Sequence, residues 1–182
     1  MSRRWRPLWR RIADSLLFLI LAGAAIFLIR QFGTDPVYSS VTVVDGDSLR
    51  DGLEDIRLHG IDAPEYRQNC SDAGGKDYAC GKRAARHLRK LVGGSSVTCR
   101  VIDTDRYGRT IGVCSAGGIE LNRAMVEAGW AMSYTRHSLE YAGAEREAKR
   151  AKRGIWQGRF EDPEDWRNAN RAGLVDAEAV PD

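Results

Sequence analysis

The chain has 182 residues, with 28 Lys and Arg against 25 Asp and Glu, a formal net charge of +3. That length holds one domain of about 100–150 residues plus an appendage. Six arginines stand against Asp14 alone within residues 1–30, so the rest of the chain is net negative, which excludes a general polycationic nucleic-acid binder. Two local clusters remain, Lys82, Arg83, Arg86, Arg89 and Lys90, then Arg146, Lys149, Arg150, Lys152 and Arg153. Both read first as solvated helix faces.

Leu16 to Ile29 is an unbroken apolar run, extended by Ile12-Ala13 and Phe32 around polar neighbours. A membrane span needs roughly 20 residues to cross about 30 Å of hydrocarbon. Arg3, Arg4, Arg6, Arg10 and Arg11 precede the run and only Arg30 follows closely, so the positive side stays in the cytoplasm. The expectation is a basic cytoplasmic N-terminus (residues 1–11) and a transmembrane signal anchor (residues 12–32). The domain beyond it then faces the periplasmic or extracellular side of the inner membrane, with the lipid bilayer as a partner. Ala22-Gly23-Ala24-Ala25 offers small residues for a cleaved signal peptide, but Ile26-Phe27-Leu28-Ile29 continues the run past them.

The four cysteines, Cys70, Cys80, Cys99 and Cys114, all follow this segment. An even count in an exported domain suggests two disulfides, and no close Cys-x-x-Cys pair supports zinc. Four cysteines allow three pairings. Cys99 and Cys114 lie about equally far from a turn near Arg106-Tyr107, so a hairpin would let them face each other, and Cys70 and Cys80 would then close a Gly-rich loop.

From Val41 the chain reads as a β-meander: Val41–Val44, a strand from Ser48, and a third from Asp55 to Ile61, with Asp-Gly turn signals between them. Pro64 cannot join a ladder and marks the exit. A helix follows with Ala84, Leu88, Leu91 and Val92 at helical spacing and Gly93-Gly94 as its stop. Val97–Ile102 and Thr110–Cys114 form a hairpin. A helix after Leu121 ends near Gly129, and another spans about Ser138 to Arg153. Residues 160–182 hold seven Asp or Glu against two Arg and read as an acidic C-terminal tail that Phe160 and Trp166 dock. The fold class is α+β, mainly β: a five-stranded OB-type Greek-key barrel over residues 37–159 with about three helices, preceded by the transmembrane helix.

Three polar stretches sit between these strands: Asp45-Gly46-Asp47-Ser48, Arg57 to Glu65, and Asp105-Arg106-Tyr107-Gly108-Arg109. Together they supply the carboxylates Asp47, Asp62 and Glu65 and the guanidiniums Arg57 and Arg109. Two carboxylates with carbonyl, water and phosphate oxygens suit a hard cation. A third carboxylate can take a proton from water, and planar guanidiniums fit the charge that develops on a phosphoryl group. Singly, each residue has a plain structural role: Asp45 and Asp47 shape a turn, Glu65 caps a segment, Arg57 pairs with Asp55 or Glu54, and Arg109 is an exposed hairpin residue.

These motifs resemble the thermonucleases, the staphylococcal-nuclease-like nucleases, over roughly Val41 to Trp156. The resemblance rests on Val-Val-Asp-Gly-Asp-Ser, Arg-Leu-x-Gly-Ile-Asp-Ala-Pro-Glu, Asp-Arg-Tyr-Gly-Arg, the Leu-Asn-Arg-Ala-Met-Val-Glu-Ala-Gly-Trp-Ala helix and the Ala-Lys-x-x-Gly-Ile-Trp ending. It implies a Ca²⁺-dependent phosphodiesterase that acts on DNA, including single strands, and on RNA. Asp47 and Asp62 match its metal carboxylates, and Ala63 sits where a backbone carbonyl ligates. Glu65 matches the general base, and Arg57 and Arg109 match the phosphate-clamping arginines. Arg106 and Tyr107 fall where the family contacts the nucleotide. A departure lies after the Leu121 helix: the family's type member has two tyrosines there, whereas this chain has Tyr134 followed by Arg136 and His137.

Overall fold

The computed structural model describes residues 14–25, 35–136 and 138–178, with side chains as far as Asn170. His137 and the flanks of the expected membrane span lie outside the described residues. Residues 1–34 and 35–182 form two separate units. In the first, helix α1 (14–25) exposes Leu16, Leu17, Phe18, Leu19, Ile20 and Leu21. Its described residues span about 18 Å at 1.5 Å per residue. Among the described residues no helix is long and apolar enough to cross a membrane.

The second unit opens with β1 (Val37–Tyr38), β2 (Thr42–Val43), β3 (Ser48–Asp51), β4 (Glu54–Leu58) and β5 (Ile61–Asp62). The expected third strand is thus two. Gly60 adopts φ +73, in the left-handed region, and breaks the run between Leu58 and Ile61. A two-stranded loop, β6 (Cys70–Ser71) with β7 (Asp77–Tyr78), leads to helix α2 (Cys80–Val92). Ala84, Ala85, Leu88 and Val92 form the buried stripe of α2, and Gly93 ends it in the left-handed conformation with its N–H on the Arg89 carbonyl. Then come the long hairpin β8 (Val97–Thr104) and β9 (Thr110–Ala116), β10 (Ile119–Glu120), helix α3 (Leu121–Glu127), β11 (Met132–Ser133), helix α4 (Ala142–Arg150), a 3₁₀ turn (Gly154–Gln157) and helix α5 (Pro163–Glu178).

The principal sheet has seven strands in the order β1-β8-β9-β4-β3-β2, with β10 added on β9. β4 runs parallel to β9, aligning Ile56 with Thr110 and Leu58 with Gly112. This is an open, OB-like half-barrel rather than the five-stranded barrel expected, because β1 and β10 lengthen the sheet and its end strands β1 and β2 do not pair. Among the described residues there are five α-helices, against about three expected in the domain and one ahead of it. α1 lies within the helix expected at residues 12–32; the extra one is α5, which occupies most of the segment read as a tail.

Both disulfides are present: Cys70–Cys80, and Cys99–Cys114 between directly opposed residues of β8 and β9. Leu49, Ile56, Leu58 and Ile61 pack against Leu88 of α2, Leu121, Met125 and Val126 of α3, and Tyr141. Each such fully buried aliphatic side chain contributes about 1.5–3 kcal/mol. A smaller cluster gathers the Cys70–Cys80 bridge, Ile155, Trp156 and Phe160, with the last two rings edge-to-face at 4.9 Å. At Gly46, an added Cβ would lie 2.6 Å from the Ala63 Cβ and 2.8 Å from that of Ala84, so glycine lets the first turn press against the β5 exit and α2.

The first turn of α2 abuts the backbone of Glu65, where a Cβ on Gly81 would lie 1.8 Å from the Glu65 carbonyl oxygen. The obstacle is main chain and cannot rotate away. Gly81→Ala is therefore expected to lower the unfolding free energy by about 2–3 kcal/mol in urea titrations. An unchanged midpoint would show that α2 does not need this close approach.

Candidate active site

The site begins at the turn into β3. The Asp47 amide donates to Asp45 Oδ1 (3.0 Å), the Val44 amide donates to the Ser48 carbonyl (3.0 Å), and the turn aims the Asp47 carboxylate inward. There Asp47 Oδ1 accepts the Ser48 hydroxyl (2.8 Å) and Oδ2 accepts the Ala63 amide (3.0 Å). The Leu58 amide also donates to the Asp47 carbonyl (2.8 Å), so the first turn is stitched to the end of β4 and to the β5 exit. Asp47 and Asp62 are each only 3% exposed.

Antiparallel pairing sets Arg57 of β4 opposite Ser48 of β3. Its Nη2 lies 2.8 Å from Asp62 Oδ1 and 3.4 Å from Asp47 Oδ2, one nitrogen between two buried carboxylates. The longer contact is an ion pair more than a well-made hydrogen bond. The charge on Asp47 raises the Arg57 pKa against the opposing pull of burial. Gln68 anchors Glu65: the buried amide oxygen of Gln68 accepts the Glu65 N–H (3.1 Å), and the Gln68 N–H donates to the Glu65 carbonyl (2.8 Å).

The remaining expected residues wall an open cleft of about 930 Å³, lined among others by Asp45, Arg57, Glu65, Arg106, Tyr107, Arg109 and Tyr134. Arg109 does not touch the carboxylates. Its Nε donates to Asp105 Oδ2 (2.7 Å), and Asp105 Oδ1 takes the amides of Tyr107 and Arg109. The guanidinium lies 5.7 Å from the Tyr107 ring, and that of Arg106 lies 4.9 Å from it. Tyr107 is 64% exposed at the hairpin tip. Tyr134 follows β11, which pairs with β5, and its amide donates to the Gly60 carbonyl (2.9 Å). The structure thus gathers Asp47, Arg57, Asp62, Ala63 and Glu65 into one cluster and sets Arg106, Tyr107, Arg109 and Tyr134 around the cleft.

Arg167 of α5 is the residue that the sequence reading misses. Its Nη1 and Nη2 fork onto Asp62 Oδ1 and Oδ2, both at 3.0 Å, and Nη1 also reaches Glu65 Oε1 at 2.8 Å. Burial works against its charge, but the hydrogen bonds to Asp62 and Glu65 outweigh that and raise its pKa further. The available signal was Asp162-Pro163-Glu164, an N-cap, a proline at the first helical position and acids in the first turn. The cap is made: Asp162 Oδ1 accepts the Glu164 amide at 2.9 Å.

Four carboxylates, Asp45, Asp47, Asp62 and Glu65, gather around the guanidiniums of Arg57 and Arg167, with Asp45 and Glu65 reaching the cleft. Burial, then the charge of Asp47, push Asp45 up to about 7. Burial likewise lifts Asp62 to about 6 despite both arginines. An all-oxygen donor set with surplus negative charge fits a hard cation such as Ca²⁺. Among the described residues no three His, Cys, Asp or Glu already stand in a ready-made metal cage. The guanidiniums hold the oxygens instead.

A family model described as staphylococcal nuclease homologue matches residues 55–158. The chain belongs to that family. The match includes Arg57, Asp62, Glu65 and Arg109; Asp47 precedes it and Arg167 follows it. The chain is 37% identical over 142 residues to the succinoglycan biosynthesis protein ExoI of Rhizobium meliloti (strain 1021), covering 76% of this chain and 74% of that one. It is 36% identical over 125 residues to a probable staphylococcal-like nuclease of Oryza sativa subsp. japonica, covering 67% of this chain but 30% of the rice protein. An uncharacterized endonuclease of Escherichia coli O157:H7 is 36% identical over 124 residues, covering 64% of this chain and 74% of its own.

The raised carboxyls set the sign of a pH effect. A carboxyl that binds its proton more tightly folded than unfolded stabilises the fold at low pH and loses that contribution as pH rises through its folded pKa. For Asp62 and Asp45 the window runs from about 4 to about 7. The metal-free protein is expected to have a higher thermal midpoint at pH 5 than at pH 8 in calorimetry at constant ionic strength. A midpoint that climbs steadily from pH 5 to 8 would contradict the crowding of these carboxylates.

Proposed function

We propose that this chain is a Ca²⁺-dependent nuclease that hydrolyses phosphodiester bonds in DNA and RNA. The observation that carries the reading is the pair of buried carboxylates, Asp47 and Asp62, bridged by Arg57 beside Glu65 under an arginine-walled cleft. Family membership supports it, as do the relatives named nuclease or endonuclease. Asp47, Asp62 and the Ala63 carbonyl would hold the ion, which when bound supplies Lewis-acid polarisation of a phosphoryl oxygen.

The chain's own residues do the rest. Glu65, half-buried at the cleft floor, takes the proton of the water whose oxygen bonds to phosphorus as the P–O bond to the leaving group breaks. Arg57 stabilises charge on the non-bridging oxygens from the carboxylate side, and Arg109 does so from the hairpin. Tyr107, Arg106 and Tyr134 line the path of the strand, where the exposed Tyr107 ring suits base stacking. Arg109 must exchange Asp105 for phosphate, a trade of one anion for another.

Localisation at the inner membrane, with the domain exported, is part of the proposal. The arginines before α1, its exposed apolar face and the two disulfides support it. A second reading, a binding-only domain, draws on the engagement of Glu65 by Arg167 and of Arg109 by Asp105. It predicts salt-sensitive binding without cleavage.

The full chain is expected to cleave single-stranded DNA in millimolar Ca²⁺ and to stop in EGTA. Glu65→Gln should lower kcat by about 10²–10⁴-fold with little change in thermal midpoint. Wild-type turnover in the variant would remove Glu65 as the base, and binding without cleavage by the wild type would favour the second reading.

A further inference from the structure

α5 enters the site from beyond the segment shared with the family, which ends at residue 158. Its lead-in is tied down by Gln68, whose amide donates to the Glu161 carbonyl at 2.7 Å while its oxygen holds the Glu65 N–H. Glu164, in the first turn of α5, sits 3.0 Å from Arg136 and accepts the Tyr134 hydroxyl at 3.4 Å. Arg167 follows three positions later on the same face. Its fork covers both oxygens of Asp62 and one of Glu65, and Asp62 Oδ1 also carries Arg57.

We infer that Arg167 is a resident cation of the active site: it holds Asp62 and Glu65 in position without metal, and it must withdraw for Ca²⁺ to bind. This rests on the nuclease reading. A carboxylate oxygen offers about two acceptor directions; both on Asp62 Oδ1 are taken, by Arg57 and Arg167, and Oδ2 carries the second arm of the fork. A metal bonded to Asp62 and the guanidinium of Arg167 therefore compete for one place, both by volume and by like charge. Withdrawal also frees Glu65 Oε1, which otherwise accepts from Arg167 Nη1 at 2.8 Å, to accept from a water. The Arg136–Glu164 pair is largely exposed on its arginine side, and such pairs contribute little. Arg167 is thus a positioning residue that sets metal affinity and links it to the docking of α5.

Isothermal titration of the full chain with Ca²⁺ tests this. Arg167→Ala is expected to bind Ca²⁺ at least about tenfold more tightly than wild type. Arg167→Gln, which keeps most of the side-chain volume, should tighten binding in the same direction. Arg109→Ala removes a cleft arginine bonded to Asp105 and should shift affinity by less than about threefold, separating direct competition from a general change of charge. By reciprocity, Ca²⁺ should speed amide exchange at residues 164–168 of the wild type. Equal or weaker Ca²⁺ binding by both Arg167 variants, with normal binding by wild type, overturns this inference and leaves the nuclease reading standing. An equal gain from Arg109→Ala overturns it too. Absence of Ca²⁺ binding in wild type and variants alike overturns the metal reading, and this inference with it.

Discussion

One guanidinium between two buried carboxylates governs the rest of this structure. Arg57 lies between Asp47 and Asp62, each almost wholly removed from water. Two anions so placed repel strongly in a low-dielectric interior, and removing the cation that joins them would cost about 3–5 kcal/mol. Their positions follow from strand register: Arg57 faces Ser48 across β3 and β4, and the Gly60 turn brings Asp62 back beside both. The fold therefore concentrates negative charge where hydrophobic packing alone would never place it. It is on this concentration of charge that the proposed cation site would draw.

Around that centre, two disulfides fix two different parts. Cys70–Cys80 ties the loop after Glu65 to the start of α2, where Gly81 lets the helix meet the Glu65 backbone and Gln68 holds its amide. Cys99–Cys114 joins the strands of the hairpin whose tip carries Arg106, Tyr107 and Arg109. The Glu65 loop and the hairpin tip are thus braced separately. Asn122, fully buried, ties the hairpin to the β4–β5 turn: it receives the Cys114 amide and donates to the His59 and Gly112 carbonyls. Its place in the Leu-Asn-Arg motif reflects this structural duty.

Local chemistry made much of this legible. Asp-Gly turns, Pro64, the α2 stripe with its Gly93 stop, and the spacing of Cys99 and Cys114 about a turn each act over a few residues. The carboxylate cluster was legible through motif order. What escaped depends on long-range pairing. The parallel β4–β9 contact and the short strands β1 and β10 have no local signature, so the sheet came out larger and more open than expected. Helix α4 is shorter than its periodicity implied, because Tyr141 turns into the core just ahead of it with its hydroxyl on Glu120. Arg167 was hidden by composition: seven acids in residues 160–182 suggested a solvated tail, while Asp162-Pro163 was starting a helix that delivers one arginine to the site.

The central claim is that Asp47 and Asp62 form a cation site. Diffraction from crystals of the protein equilibrated with Ca²⁺, with anomalous data, tests it most directly. The account predicts a peak within about 2.3–2.6 Å of oxygens from both carboxylates, with the Arg167 guanidinium displaced from Asp62. Saturating Ca²⁺ with no peak there, and both arginines still on the carboxylates, would contradict it.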